Sequence, residues 1–129
     1  MRDVRSLLLL AFGLAHDVSE TCLDIEHEIG QHRYYGAQVA DTGVTVLAHI
    51  ACADASYPPY DAQTRLDLAR SLSGARARLD ELRGLLKTLS DRHILPASRL
   101  APIRDQVEQL MALVRAIEAE VRNSARLAS

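Results

Sequence analysis

The sequence has little of what β-sheet domains and disulfide-stapled domains use. It contains no tryptophan, one phenylalanine and two cysteines in 129 residues. Leu, Ala and Val dominate, and the aromatic residues that strands favour are few, so we expect an aliphatic, helical core. Two cysteines cannot supply a disulfide framework. We therefore expect Cys22 and Cys52 to be reduced thiols on apolar helix faces of a cytoplasmic protein.

A long hydrophobic run is also missing. The longest, in MRDVRSLLLLAFGLA, covers nine residues, which is too short to span a bilayer. Two arginines followed by an apolar run resemble a short signal peptide. However, Asp3 lies in the charged region, and the helical pattern continues beyond the place where cleavage would occur. We expect this segment to be the start of a core helix, with no membrane contact.

The net charge is small, but the charged residues are unevenly distributed along the chain. The net charge is −2, yet residues 1–61 carry three basic and nine acidic side chains, whereas residues 62–129 carry twelve basic and eight acidic ones. The cations are fourteen arginines and one lysine. Arginine favours forked contacts with carboxylates or phosphates, so the basic half is a candidate binding surface.

Apolar residues recur every three or four positions in four segments, which is the period of an amphipathic helix. Segment 33–54 is rich in Val and Thr, but Gly36, Ala40 and Gly43 follow the helical spacing, and a strand of this length would be abnormal. Its small residues should let neighbouring helices approach closely. The predicted helices are about 3–30, 33–55, 62–90 and 102–123.

The connections between these segments are short and contain proline. Residues 56–63 read SYPPYDAQ, which cannot be helical throughout, and Asp61 should cap the third helix. Pro102 suits the first turn of the fourth. Short connections predict one domain, residues 1–129, folded as an all-α, antiparallel, up-down-up-down four-helix bundle.

These patterns support two packing expectations. The first half of helix one is apolar over a wide arc and should be deeply buried. Gly74 and Gly84 each cost about 1 kcal/mol relative to alanine inside a helix, so close packing should account for both.

The sequence nominates no catalytic constellation. It has no Glu-x-x-His of the kind that di-iron bundles use and no glycine-rich phosphate loop. A metal site built from His16, Glu20 and His49 is the alternative, but these residues also suit surface or interhelical positions. We expect a protein that is not an enzyme, with no cofactor.

Cationic side chains supply the candidate site. At 100° per residue, one face of helix three carries a cationic ridge of Arg65, Arg76, Arg83 and Lys87. Such a ridge could hold phosphates or an acidic partner, although intrahelical ion pairs would produce the same pattern. Tyr57 and Tyr60 are weaker candidates for partner binding, because exposed tyrosines are favoured at interfaces.

Several segments carry a family resemblance. Tyr35-Gly36, Gln38 and the run to His49-Ile50-Ala51 resemble the second helix of a small four-helix-bundle family, and LDLARSLSGARARLDELRGLL resembles its third helix. The resemblance also covers the turn near Leu95 and the apolar-periodic segment QVEQLMALVRAIEAEVR. The family includes proteins encoded by intervening sequences of bacterial 23S ribosomal RNA genes. It also includes the accessory variability determinant of diversity-generating retroelements.

The resemblance implies a homopentamer, in which five bundles form a barrel around a central pore. In retroelements this barrel is a non-catalytic platform that binds a reverse transcriptase and its template RNA during mutagenic cDNA synthesis. We therefore expect an oligomeric adaptor whose partners are a reverse transcriptase and RNA or cDNA. The alternatives are the metal-binding bundle and a bundle subunit of another assembly that makes no nucleic-acid contact.

Overall fold

The computed structural model describes residues 3–128, and their side chains as far as residue 125. Four helices and no strand occur within this range, so the predicted all-α fold with four helices is confirmed, and the arrangement is that of a four-helix bundle. The helices are α1 (Val4–Glu28), α2 (Arg33–Ala55), α3 (Ala62–Asp91) and α4 (Ala97–Ala128).

Two aspartates begin helices by capping their first turns. The Asp3 carboxylate accepts from the Ser6 backbone N–H at 2.8 Å, and the Asp61 carboxylate accepts from the Thr64 backbone N–H at 2.7 Å. Each bond satisfies an amide that has no intrahelical acceptor. The cap predicted at Asp61 is therefore present, and it fixes where α3 starts after the Tyr57–Tyr60 segment.

The core forms where the four apolar stripes meet. α1 packs against α2 and α4, and α3 packs against the same two helices. Acidic α1 and α2 are thus neighbours, as are α3 and α4 from the basic half. The largest fully buried side chains include Leu8, Ile25, Ile50, Leu72, Leu79, Leu86, Ile103 and Leu110.

Segment 33–54 is helical, as its glycine and alanine spacing predicts. A Cβ at Gly43 would lie 2.8 Å from both Cβ and Sγ of Cys22, and one at Gly36 would lie 3.3 Å from Cγ of Glu26. Small residues on α2 therefore do admit α1 at close range. The helix is not enclosed on every side, however, because Val44 is half-exposed.

The fourth helix begins five residues before the predicted start. The carbonyl of Pro96 accepts from the backbone N–H groups of Arg99 and Leu100, at 3.0 and 3.3 Å. Pro102 consequently lies inside α4, on its exposed side. The first of the two prolines, not the second, marks the start of the helix.

The α3–α4 corner uses a left-handed residue that is not glycine. His93 has φ 58°, and its backbone N–H bonds to the Ser90 carbonyl at 3.0 Å. The Ile94 N–H bonds to the Leu89 carbonyl at 2.9 Å. These two bonds form a Schellman motif, which ends α3 and turns the chain toward α4.

Three packing expectations were wrong. Cys52 is exposed, although Cys22 is buried. Nothing lies within 4 Å of a Cβ placed at Gly84, whereas one at Gly74 would meet the ring of His49 at 2.6–2.9 Å. The first half of α1 is only partly buried. Its two neighbouring helices cover only part of its circumference, and the apolar arc of the leucine run is wider than that part.

α1 has the length and apolar composition of a membrane-crossing helix. Nine of its residues are nevertheless buried in the bundle. Core helices of globular proteins share this composition, so α1 by itself is weak evidence for a membrane span.

Candidate functional site

Three of the four ridge cations are paired with carboxylates. Arg83 donates from Nε and Nη2 to the two carboxylate oxygens of Glu108, at 2.7 and 3.1 Å, and from Nη1 to Asp80 at 2.9 Å. The hydrogen bonds to Glu108 are the main reason that the pKa of Arg83 is raised. Lys87 Nζ lies 2.8 Å from Asp91 Oδ2.

Arg76 makes a contact of a different kind. Its Nε lies 2.6 Å from Glu118 Oε1, yet the same atom is buried and has no hydrogen-bond partner of acceptable geometry. The contact is therefore an ion pair without hydrogen-bond alignment, because attraction between charges depends on distance far more than on angle. Like Arg83–Glu108, it ties α3 to α4.

An anionic partner would have to compete with these carboxylates for the ridge. Exposed ion pairs contribute only about 0–1 kcal/mol each, so competition is feasible at Arg83 and Lys87, whereas the Arg76–Glu118 pair is partly buried. These three cations of the ridge do not carry unbalanced positive charge. Arg65 is the exception. Within the described residues no carboxylate lies within 4.0 Å of it, and its Nε reaches only the Asp61 carbonyl at 3.5 Å.

The two candidate tyrosines have different environments. Tyr57 is half-buried, and Arg5 holds it in two ways: Nη2 donates to the Tyr57 carbonyl at 2.6 Å, and the guanidinium lies 5.1 Å from the ring centroid. Tyr60 is 86% exposed.

Arg65 and Tyr57 line one cavity at an end of the bundle, which we name the bundle-end pocket. It has a volume of about 220 Å³ and lies between the start of α1, residues 57–59, the start of α3 and the last turns of α4. Its walls include Val4, Tyr57, Arg65, Leu68, Val121 and Ser124.

The alternative metal trio does not assemble. His16 and Glu20 are exposed on α1, and their nearest ligand atoms lie 3.6 Å apart. His49 instead packs its ring against Gly74 of α3. The ligand atoms that do come within 4.8 Å of one another belong to His16, Asp17 and Glu20, all exposed. Exposed acidic groups commonly cluster in this way without an ion.

A large groove lies between α1 and α4, and the sequence reasoning missed it. This α1–α4 groove has a volume of about 690 Å³, and its apolar lining consists of Leu7, Leu10, Leu14, Ala112, Leu113 and Ala116. Gln109 and Glu120 are the polar residues beside it.

An exposed apolar surface adjoins this groove. Leu9, Leu10 and Phe12 are 62%, 50% and 40% exposed, and we call them the α1 leucine patch. The width of the apolar arc in LLLLAFGLA was the available signal. The wide apolar arc indicated that these side chains are buried, but it did not indicate whether this chain or another chain buries them.

Comparison of the chain with protein-family models, curated proteins and solved structures finds no significant match.

Proposed function

We propose that this chain is a non-catalytic adaptor that self-associates through the α1 leucine patch and the α1–α4 groove. The exposure of Leu9, Leu10 and Phe12 carries the proposal. Around α1, Leu9 lies between Leu10 and Phe12, so the three side chains cover the outer part of the helix. Large exposed apolar surfaces are uncommon on monomers and mark interaction sites. The groove beside the patch gives such a contact depth and shape.

The energetics favour covering the patch and the groove together. Burying a Leu or Phe side chain completely contributes about 1.5–3 kcal/mol, so the exposed parts of the three patch residues are worth about 2–5 kcal/mol per copy. Association costs about 4–15 kcal/mol. The patch alone therefore supports at most weak association, and a stable assembly also needs the groove to be filled.

We infer an antiparallel up-down-up-down topology for the bundle. Arg5 near the start of α1 pairs with Asp54 near the end of α2 at 2.9 Å. Arg99 near the start of α4 pairs with Glu28 at the end of α1 at 2.8 Å. Both contacts support neighbouring helices that run in opposite directions. The family resemblance supports a ring-shaped homopentamer as the form of the assembly.

The same resemblance proposes a reverse transcriptase and its template RNA as partners. The carboxylates beside Arg76, Arg83 and Lys87 favour a protein partner over RNA for that face, because phosphates would have to displace them. The net charge of −2 also favours a protein partner over RNA, since nucleic-acid-binding domains are usually basic. We therefore propose the adaptor role primarily as protein binding.

Sedimentation equilibrium on the purified chain tests self-association. We expect the wild type to exceed the 14.2 kDa of one chain at micromolar concentration. Leu10→Glu should return it to the mass of one chain, because a buried unpaired carboxylate is costly. Leu23→Glu is the matched control. Leu23 is a 46% exposed leucine of the same helix, about 20 Å farther along it.

Two results would refute the proposal. The first is a wild type with the mass of one chain at tens of micromolar. The second is equal loss of mass in both glutamate variants, which would indicate a general effect of charge on α1. Circular dichroism of each variant establishes that it is folded, so unfolding cannot be mistaken for dissociation.

A further inference from the structure

Arg65 is an exposed cation beside an apolar pocket. It lines the bundle-end pocket together with Val4, Leu68 and Val121. No carboxylate of a described residue lies within 4.0 Å of its guanidinium. A guanidinium presents forked donors that fit a carboxylate in a bidentate manner. We propose that this pocket binds a short aliphatic monocarboxylate.

The walls of the pocket suit an aliphatic group. Leu68 is fully buried, Val4 is 5% exposed, and Val121 packs against the same core. Residues 57–59 supply a tyrosine and two prolines on another side. A branched alkyl chain would therefore displace water from apolar surface, while Arg65 and the Ser124 hydroxyl remain available to its polar end.

The tyrosine wall is held in place without a ligand. Arg5 ties the Tyr57 carbonyl to α1, and its Nη1 bonds to the Asp54 carboxylate at 2.9 Å. The stacked guanidinium adds a cation–π contact. A pocket with a fixed wall loses little conformational entropy when a ligand enters, so weak interactions can still give measurable binding.

Local charge selects a monoanion over a phosphate. The pKa of the Asp61 carboxyl is lowered mainly by the hydrogen bonds from Thr64 and in small part by nearby Arg65, so Asp61 is ionised at neutral pH. Of the other described cations at this end, Arg5 is paired with Asp54, whereas Arg122 is exposed on the last turns of α4. Because the ionised Asp61 carboxylate lies near Arg65, a dianionic phosphate would meet more repulsion there than a monocarboxylate.

The volume limits the size of the ligand. A water molecule occupies about 30 Å³ in the liquid, so a pocket of about 220 Å³ holds roughly seven or eight non-hydrogen atoms. 4-Methylpentanoate has this size and combines a branched alkyl chain with one carboxylate. The last residue of a peptide that ends in leucine offers the same chemistry.

The test is a titration of the full chain, followed by ¹H–¹⁵N correlation spectra, with sodium 4-methylpentanoate as the probe. We expect shifts confined to the ends of helices around the pocket, with a dissociation constant of order 1 mM. Arg65→Gln should weaken binding about tenfold or more, because charge-assisted hydrogen bonds are lost. Arg70→Gln, which removes an exposed arginine of the same helix outside the pocket, should not weaken it.

Two further probes define the chemistry. 4-Methylpentanamide has the same shape without the charge and should bind at least about tenfold more weakly. The tripeptide Ala-Ala-Leu, with a free or an amidated carboxyl end, separates the two sources of the ligand. Tighter binding of the free-ended peptide than of the acid assigns the pocket to protein chain ends, and the reverse assigns it to a small acid.

Three outcomes would overturn the proposal: no localised shifts at tens of millimolar probe, equal binding of acid and amide, or undiminished binding to Arg65→Gln. The spectra themselves report whether each variant is folded. Because the pocket shares no residue with the α1 leucine patch, failure here would leave the self-association proposal standing, and the converse also holds.

Discussion

Replacing Gly43 by alanine tests the close approach of α1 and α2. The new Cβ would lie 2.8 Å from Cβ and Sγ of Cys22 and 3.5 Å from Cα of Ser19. Cys22 is fully buried, so relief requires the two helices to move apart. Overpacking of this kind costs about 1–3 kcal/mol. Alanine regains about 1 kcal/mol of helix propensity, which leaves a net loss of about 0–2 kcal/mol in the free energy of unfolding.

Gly84→Ala is the matched control, because Gly84 also lies within a helix but has nothing within 4 Å of the added Cβ. It should gain the propensity term alone and stabilise the protein by about 1 kcal/mol. Urea unfolding followed by circular dichroism measures both variants, which should differ by the overpacking cost of about 1–3 kcal/mol. Equal stabilisation by the two alanines would show that α1 and α2 are not in close contact at Gly43.

A double variant identifies the atoms responsible. Cys22→Ala removes Sγ but keeps the Cβ that also lies 2.8 Å away. The combination of Cys22→Ala with Gly43→Ala should thus lose less stability than the sum of the two single variants. Neighbouring residues typically give coupling energies of about 0.5–3 kcal/mol. Strict additivity would contradict direct contact between these residues.

Two further predictions concern side chains whose pKa values shift. Burial raises the pKa of Cys22 to about 12, so a thiol-reactive dye should label the exposed Cys52 quickly and Cys22 only on unfolding; rapid labelling of two thiols in the native protein would contradict the burial of Cys22. The pKa of Asp61 is lowered from its ordinary value of 3.8, mainly by the hydrogen bond from the Thr64 hydroxyl. Its ionised cap therefore stabilises the fold above that ordinary value and loses this effect as the pH falls through the folded pKa. Unfolding experiments from pH 7 to pH 2 compare the free energies of unfolding of the variants, and the difference between wild type and Asp61→Ala should shrink below about pH 4. The difference between Asp61→Asn, which caps without titrating, and Asp61→Ala should stay level through the same range. A difference between wild type and Asp61→Ala that does not change with pH would contradict the cap.

Much of the fold can be predicted from periodicity. The helical spacing of Gly36, Ala40 and Gly43 predicted α2 correctly, although the segment is rich in β-branched residues. The spacing reflects packing against other helices, whereas β-propensity is a weak local preference. The start of α4 could not be predicted in this way. Either Pro96 or Pro102 could precede or open a helix. Which of the two does so depends on the backbone geometry of the corner at His93.

The site was less predictable. Helical angles correctly placed Arg76 and Arg83 on one side of α3, but Glu118 and Glu108 lie on α4. The pairing depends on how far the two helices are shifted along each other, and no feature of a single helix encodes that shift. The sequence predicted both Arg65 and Tyr57 as candidate site residues. It did not predict that the two line one pocket, because that pocket also depends on the position of α4.

The opposite charges of the two halves of the chain have a consequence for symmetry. Because α1 and α2 are neighbours and α3 and α4 are neighbours, the molecule has an acidic side and a basic side. A two-fold axis that joined identical sides would set like charges against each other. Contacts between unlike sides lower this repulsion, and such head-to-tail contacts give a ring where the rotation between copies closes and a filament where it does not. The distribution of charge along the chain thus disfavours two-fold contacts that join two acidic sides or two basic sides.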